Sequence, residues 1–234
     1  MMIREAIILA GGLGTRLRSA VPDLPKCMAP VGDRPFIAYL TDHFRRMGIQ
    51  RFIFALGYKH DAFEEFLRNQ FPDGGYTISL EEEPLGTGGA IRQACLLAME
   101  ETVLILNGDT FYDVELDALS AFHREKNADC SLCLKYMKDF DRFGVVELDD
   151  DQRVRLFREK QYYPEGLING GVYALDRNRF MREDLPVKFS FEKDYLEKVL
   201  EKRRIFGIRQ DHYFIDIGIP QDYRRIQNEI NHLL

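Results

Sequence analysis

No stretch of this chain approaches the roughly 18 consecutive apolar residues that a membrane-crossing helix needs. Nor is there a basic excess: 32 Lys and Arg against 38 Asp and Glu leave a formal net charge of -6. The positive footprint of a nucleic-acid binder is therefore missing. Low-complexity tracts, internal repeats and long linkers are absent too, so one domain is expected. The opening residues Met1-Met2-Ile3-Arg4-Glu5 run directly into an apolar strand and leave no room for a signal peptide. A cytoplasmic location is the expectation that follows. Cysteine is scarce, at positions 27, 95, 130 and 133. Cys130 and Cys133 have C-x-x-C spacing, but they sit in a strand-like apolar run, where residues three apart point to opposite faces. No second pair completes a zinc site. The five histidines form no Ser-His or Cys-His constellation for nucleophilic catalysis.

What is present is a globular balance, 45% hydrophobic and 30% charged over 234 residues, enough for one large α/β domain. Met99, Met137 and the scattered phenylalanines read as core. Tyr39, Phe44 and Phe63 are expected to be partly exposed, which leaves homo-oligomerisation open. Apolar periodicity predicts strands at 5–9, 51–56, 76–80 and 102–106, alternating with helices over 35–47, 60–69 and 88–99. Strands separated by such helices imply βαβ units and a largely parallel sheet. Shorter strands follow at 131–136, 144–148, 154–158 and 167–175, predicting an antiparallel addition, then a helix over 191–201. A strand at 213–217 and an amphipathic helix over 221–234 close the chain. The expected fold is α/β and Rossmann-like, a mixed, mainly parallel sheet flanked by helices. Its parts are about 1–128, about 129–212, and a closing strand and helix over 213–234.

The segment best suited to chemistry is Leu9-Ala10-Gly11-Gly12-Leu13-Gly14-Thr15-Arg16-Leu17, with Pro25-Lys26 downstream. Glycines directly after a buried strand let the backbone turn sharply and present N–H groups to an anion. Arg16 and Lys26 add fixed positive charge suited to a polyphosphate. An ordinary strand-to-helix turn with two surface cations has the same appearance. Leu17 stands where a dinucleotide fingerprint needs its third glycine, and Arg16 where a Walker A loop begun at Gly11 needs its second. Further along, Asp109 ends an apolar strand after Asn107-Gly108, and Asp216 ends another. Two such carboxylates suit magnesium bridging a triphosphate, although each alone also reads as a turn-forming aspartate. Ligands of open α/β sheets gather outside the carboxyl ends of the strands, where Gly11, Asp109 and Asp216 all fall. Glu159-Lys160 follows a short strand, a usual place for a solvated charge pair. Asn169-Gly170-Gly171 interrupts an apolar strand, and glycine there marks close approach of a ligand or another backbone.

These motifs together resemble the signature of the sugar-1-phosphate nucleotidyltransferases. The resemblance rests on the glycine loop with Pro25-Lys26, Glu83-Pro84-Leu85-Gly86-Thr87-Gly88-Gly89-Ala90, Asn107-Gly108-Asp109, Glu159-Lys160, Asn169-Gly170-Gly171 and Phe214-Ile215-Asp216-Ile217-Gly218. They fall in the family's order over nearly the whole chain. The resemblance implies a GT-A-like nucleotidyltransferase fold and transfer of a nucleotidyl group from a nucleoside triphosphate to a sugar 1-phosphate. It assigns nucleotide binding to Leu9, Ala10, Gly11, Gly12, Gly14 and Thr15, and to Glu83, Pro84, Gly86, Thr87, Gly88, Asn107 and Gly108. Thr87 reads equally as a helix cap. Arg16 and Lys26 would stabilise the pyrophosphate leaving group and Lys160 the attacking phosphate. Asp109 and Asp216 would hold Mg2+, and Gly144, Glu159, Lys160 and Asn169 the sugar phosphate. Gln161 replaces the family's usual proline without touching the two functional side chains.

The Glu-Pro-Leu-Gly-Thr form resembles guanylyltransferases acting on mannose-like sugars, which implies GTP. The stretches 106–111 and 140–144 extend that likeness to a manno-heptose 1-phosphate. Mannose 1-phosphate, an N-acetyl-sugar 1-phosphate with UTP, and a nucleotide-sugar-sensing subunit without activity stand as alternatives. A phosphate monoester is already anionic at neutral pH, so the implied reaction needs no general base. Catalysis then reduces to positioning and charge neutralisation.

Overall fold

The computed structural model describes residues 2–12, 24–57 and 61–233, in which helices cover both faces of a seven-stranded mixed sheet. In chain order the strands are β1 (Glu5–Leu9), β2 (Pro30–Val31), β3 (Arg34–Pro35), β4 (Arg51–Leu56), β5 (Tyr76–Leu80), β6 (Thr102–Asn107) and β7 (Thr110–Tyr112). They continue with β8 (Cys130–Phe140), β9 (Val146–Leu148), β10 (Val154–Phe157), β11 (Tyr163–Asp176), β12 (Ile205–Arg209) and β13 (Phe214–Asp216). The helices are α1 (Phe36–Arg46), α2 (Asp61–Gln70), α3 (Gly86–Cys95), α4 (Leu116–Glu125), α5 (Arg177–Phe180), α6 (Glu197–Val199) and α7 (Pro220–Asn228). A π-helical turn, Phe191–Leu196, leads into α6, and a 3-10 turn, Ile230–His232, follows α7.

The main sheet has the order β12-β8-β11-β6-β1-β4-β5. β1 runs parallel to β4 and β6, β4 to β5, and β12 to β8, whereas β11 is antiparallel to both β6 and β8. The antiparallel strands expected after residue 129 therefore extend the main sheet. Only β9 and β10 stand apart, as a two-stranded ribbon.

Strand alternation divides the interior in two. Ile7, Val103, Ile105, Cys130 and Leu132 face the core beneath α3 and the π-helical turn. Ile8, Leu104, Leu106 and Cys133 face the core beneath α1, α2 and α7. Cys130 and Cys133 thus lie on opposite faces, and burial pushes both thiols up. Tyr39, Phe44 and Phe63 are buried rather than partly exposed, because the inward stripes of α1 and α2 carry them. Met99 is 76% exposed instead of core, since α3 stops at Cys95 and the following turn points Leu96 and Met99 outward. Met137 is half-buried against the small cluster around Phe140. No helix among the described residues is long and apolar enough to cross a membrane.

Strand order also fixes where a ligand can bind. From β1 the chain proceeds through β4 and β5 on one side, then returns to place β6 on the other. The carboxyl ends of β1 and β6 consequently flank a topological switch point, the usual crevice of an open α/β sheet. β13 lies outside the main sheet. It pairs antiparallel with β7, just beyond β6, and the Ile217 N–H donates to Asp109 O at 3.0 Å.

At the opposite end of β1, Glu5 is 2% exposed. It accepts from Arg51 and from the N–H groups of Met99 (2.8 Å) and Glu100 (3.0 Å), stapling the turn after α3 to the sheet. Removing one partner of such a pair strands the other charge in a poorly solvated place. Glu5→Ala is expected to cost about 3 kcal/mol. In a protein of this size that lowers the melting temperature by ~6–12 °C, measurable by circular dichroism. An unchanged melting temperature would refute the structural role.

Candidate active site

Gly11 and Gly12 continue from β1 into the crevice. A Cβ on Gly11 would lie 2.9 Å from Glu81 Oε1 and 3.1 Å from Gly57 N, whereas one on Gly12 would meet nothing within 4 Å among the described residues. Packing therefore demands the first glycine. Leu9 is half-buried and Ala10 buried beside them. Gly14, Thr15 and Arg16 lie outside the described residues. Across the switch point, Gly108 donates its N–H to Leu9 O at 3.0 Å, and a Cβ there would come within 2.7 Å of that same oxygen. The two strand ends are thereby locked together. Asn107, one residue earlier, packs its amide over Gly171 of β11, where a Cβ would sit 2.5 Å from Asn107 Nδ2.

Asp109 projects from the end of β6 and Asp216 from the end of β13. Between them lies Lys26, at the start of the 3-10 turn Lys26–Met28. Its ammonium is paired with Asp109 and lies 3.7 Å from Asp216 Oδ1. Gly218 closes this cluster: its N–H donates to Asp216 Oδ1 at 2.6 Å, and a Cβ would stand 2.9 Å from Lys26 Nζ. Arg142 reaches Asp216 Oδ2 at 3.4 Å while pairing with Asp222 in the first turn of α7. Burial, and then the charge of Asp109, push the Asp216 carboxyl above its usual range; Lys26, the Gly218 N–H and Arg142 pull it back. Two partly exposed carboxylates that already draw in a cation form a donor set suited to a hard divalent ion completed by phosphate oxygens. The neighbouring Cys27 is no nucleophile, because burial pushes its thiol up to about 12.

The residues expected to hold sugar phosphate assemble around β10 and β11. Gly144 packs against the backbone of Arg158, with a Cβ position only 2.2 Å from Arg158 O, which sets it beside Glu159. Glu159 and Lys160 are exposed just after β10. Asn169 begins an irregularity in the β11–β8 ladder that runs to Tyr173. Its Oδ1 accepts the Gly171 N–H at 3.1 Å, and its Nδ2 donates to Tyr173 OH at 2.7 Å.

The segment 83–90 departs from expectation in its details. Gly86 (φ +73°) and Gly88 are glycines because the loop carrying Phe189 crosses them: a Cβ would lie 2.5 Å from Phe189 O at Gly86 and 2.1 Å from the Phe189 ring at Gly88. The Gly88 N–H donates to Phe189 O at 3.0 Å, so it has no proton to offer a base. Thr87 does not cap α3, whose N-cap is Leu85. It accepts instead from the Phe191 N–H at 2.8 Å, at the start of the π-helical turn. Glu83 and Pro84 are exposed, and the carboxylate that reaches the glycine loop is Glu81, which also accepts the Leu85 N–H at 2.9 Å. Burial pushes Glu81 up. Arg142 lies inside the stretch 140–144 but had no role assigned, and Asp222, Glu81 and Glu192 are marked by no motif; their partners are distant in sequence or fall just outside the recognised segments.

A family model described as nucleotidyl transferase matches residues 5–232. The chain is 47% identical to a D-glycero-alpha-D-manno-heptose 1-phosphate guanylyltransferase of Aneurinibacillus thermoaerophilus, covering 98% of this chain and all of that one. It is 42% identical to the Campylobacter jejuni protein of the same name, over 94% and 96% of the two chains. Among solved structures, HddC from Yersinia pseudotuberculosis complexed with GMP-PN superposes with a TM-score of 0.86 at 33% identity, covering 97% of this chain and 100% of that one.

A carboxyl whose pKa is raised in the folded state favours folding fully only below its unfolded value, near 3.9, and that contribution is lost as pH rises through the folded value. Asp216 is such a group. Asp216→Asn, in metal-free buffer, is expected to melt above the wild type at pH 7, with the gap closing toward pH 4. Equal melting temperatures at both pH values would show that Asp216 bears no electrostatic strain.

Proposed function

The chain belongs to the nucleotidyl transferase family, and from that premise we propose that it transfers a guanylyl group from GTP to a manno-heptose 1-phosphate, releasing pyrophosphate. The observation that carries the reading is the Lys26–Asp109–Asp216 cluster at the switch point, beyond the end of β1. A subunit that only sensed nucleotide-sugars would have no need of that charge arrangement. Relatives named for the heptose substrate match over nearly the full length of both chains, and a related structure holding GMP-PN supports a guanine base. A cytoplasmic location and a role in making polysaccharide precursors go with this reading.

In the proposed reaction an oxygen of the sugar 1-phosphate attacks the α-phosphorus of GTP. The bond from that phosphorus to the β-bridging oxygen breaks, and pyrophosphate leaves with the electron pair. Asp109 and Asp216 would hold Mg2+, which when bound neutralises phosphate charge and polarises the phosphoryl group. Lys26 supplies positive charge to the triphosphate side, with Arg16 assigned beside it from the sequence. Lys160 steadies the incoming phosphate, Glu159 and the Gly144 backbone the sugar hydroxyls, and Asn169 the junction between sugar and phosphate. None of these groups moves a proton, as expected for a nucleophile that arrives already ionised.

Pyrophosphate release should be far faster with GTP than with UTP, dTTP or CTP across a panel of sugar 1-phosphates, and the manno-heptose compound should exceed mannose 1-phosphate. Preference for UTP would sink the guanylyl assignment. Asp109→Asn and Asp216→Asn should each reduce turnover at least ~100-fold with the fold intact. The two lysines should separate. Lys160→Ala is expected chiefly to raise KM for the sugar 1-phosphate and Lys26→Ala to impair triphosphate use. Each loss corresponds to about 2–4 kcal/mol, roughly thirtyfold to a thousandfold in kcat/KM. A Lys160→Ala enzyme that loses GTP use while sparing the sugar would overturn these roles.

A further inference from the structure

Glu192 lies outside every motif that marks the site, yet its carboxylate joins the two substrate regions. Its Oε2 accepts from Thr87 Oγ1 at 3.0 Å and from Ser190 Oγ at 3.2 Å, while Oε1 accepts from Tyr173 OH at 3.4 Å. The Thr87 oxygen already accepts the Phe191 N–H at 2.8 Å, so its one proton is directed at Glu192. Tyr173 is buried, and its phenol stays protonated because burial and the charge of Glu192 both oppose ionisation. With that proton turned to Glu192, the Tyr173 oxygen is left to accept Asn169 Nδ2 at 2.7 Å. The amide of Asn169 is thereby fixed, its Oδ1 on the Gly171 N–H and its Nδ2 on Tyr173.

We infer that Glu192 is a positioning residue that sets the amide orientation of Asn169 through Tyr173 and, with the same carboxylate, anchors Thr87 at the N-terminal end of α3. The inference rests on the guanylyltransferase reading and deepens it, because one side chain then ties the sugar-phosphate side of the site to the nucleotide side. Only a carboxylate accepts on both of its oxygens. A glutamine has one acceptor and one donor. Its oxygen retains more bonds facing the two hydroxyls of Thr87 and Ser190, which turns its NH2 toward Tyr173. There it competes with Asn169 for the phenol oxygen and leaves the phenol proton without an acceptor. The damage should therefore fall on the sugar side.

The test is steady-state kinetics of Glu192→Gln, Tyr173→Phe and the double variant, with each substrate varied in turn, beside thermal melting and calorimetric titration of the sugar 1-phosphate. Glu192→Gln should raise KM for the sugar 1-phosphate about tenfold, the effect of one polar contact, with KM for GTP within about twofold. Tyr173→Phe should do the same, the double variant should be no worse than either single one, and calorimetry should show the same weakening. A wild type without GTP-dependent pyrophosphate release would defeat the functional reading itself. An active wild type in which Glu192→Gln raises both KM values equally, leaves both unchanged, or multiplies with Tyr173→Phe overturns the inference. A purely structural Glu192 would lower the melting temperature without splitting the two KM values.

Discussion

Two carboxylates held near one ammonium organise everything around them. Burial first, and then the nearby charge of Asp109, raise the Asp216 carboxyl above its usual range. Lys26 opposes that shift from between them, and the local backbone is shaped to allow the approach. Gly218 has no Cβ to obstruct the Lys26 ammonium, and the β7–β13 ribbon carries Asp216 across to the end of β6. Arg142, tied to Asp222 of α7, holds Asp216 from its other side. Such an arrangement gains little stability, because like charges and desolvation oppose it. It suits a ligand that brings both negative phosphate and a metal ion.

The side proposed for the sugar phosphate is built by interrupting regular structure. In β11 the ladder with β8 breaks between Asn169 and Tyr173, and the two intervening glycines admit neighbours that no other residue would. Gly170 gives way to the Tyr112 ring, 2.3 Å from its Cβ position, and Gly171 (φ +73°) to the amide of Asn107. One irregular stretch therefore touches both β6, which leads to Asp109, and β7, which follows it. Strand pairing is given up where the backbone must meet a ligand or another chain segment.

Much of this was legible in the sequence, for identifiable reasons. β1, β4 and β5 match their expected limits because they are short, apolar and bounded by turn residues. The glycine loop, Asp109 and Asp216 stand out because unusual backbone and charge fall at strand ends, and Asn169 because two glycines follow it inside a strand. α4 went unread, although Leu116, Leu119 and Phe122 sit at helical spacing in a polar stretch, and β12 was hidden by Gly207 in its middle. At Gly88 the motif gives no sign of the Phe189 ring and carbonyl that pack against it, a contact only tertiary structure supplies. The pairing of Arg142 with Asp222, and of Glu192 with Thr87 and Tyr173, follows from where the sheet brings distant segments together. No periodicity or spacing encodes those meetings.

The crossing of Asp216 to the end of β6 also imposes an order of events on the newborn chain. Synthesis delivers Lys26 and Asp109 first, and a pair of opposite charges can settle without help. The second carboxylate arrives only with β13, and the helix that steadies it through Asp222 comes later still. A partly made chain on the ribosome therefore carries the Lys26–Asp109 pair before the second carboxylate is there. Assembly of the three-charge cluster thus waits for β13, and its bracing through Arg142 and Asp222 waits for α7.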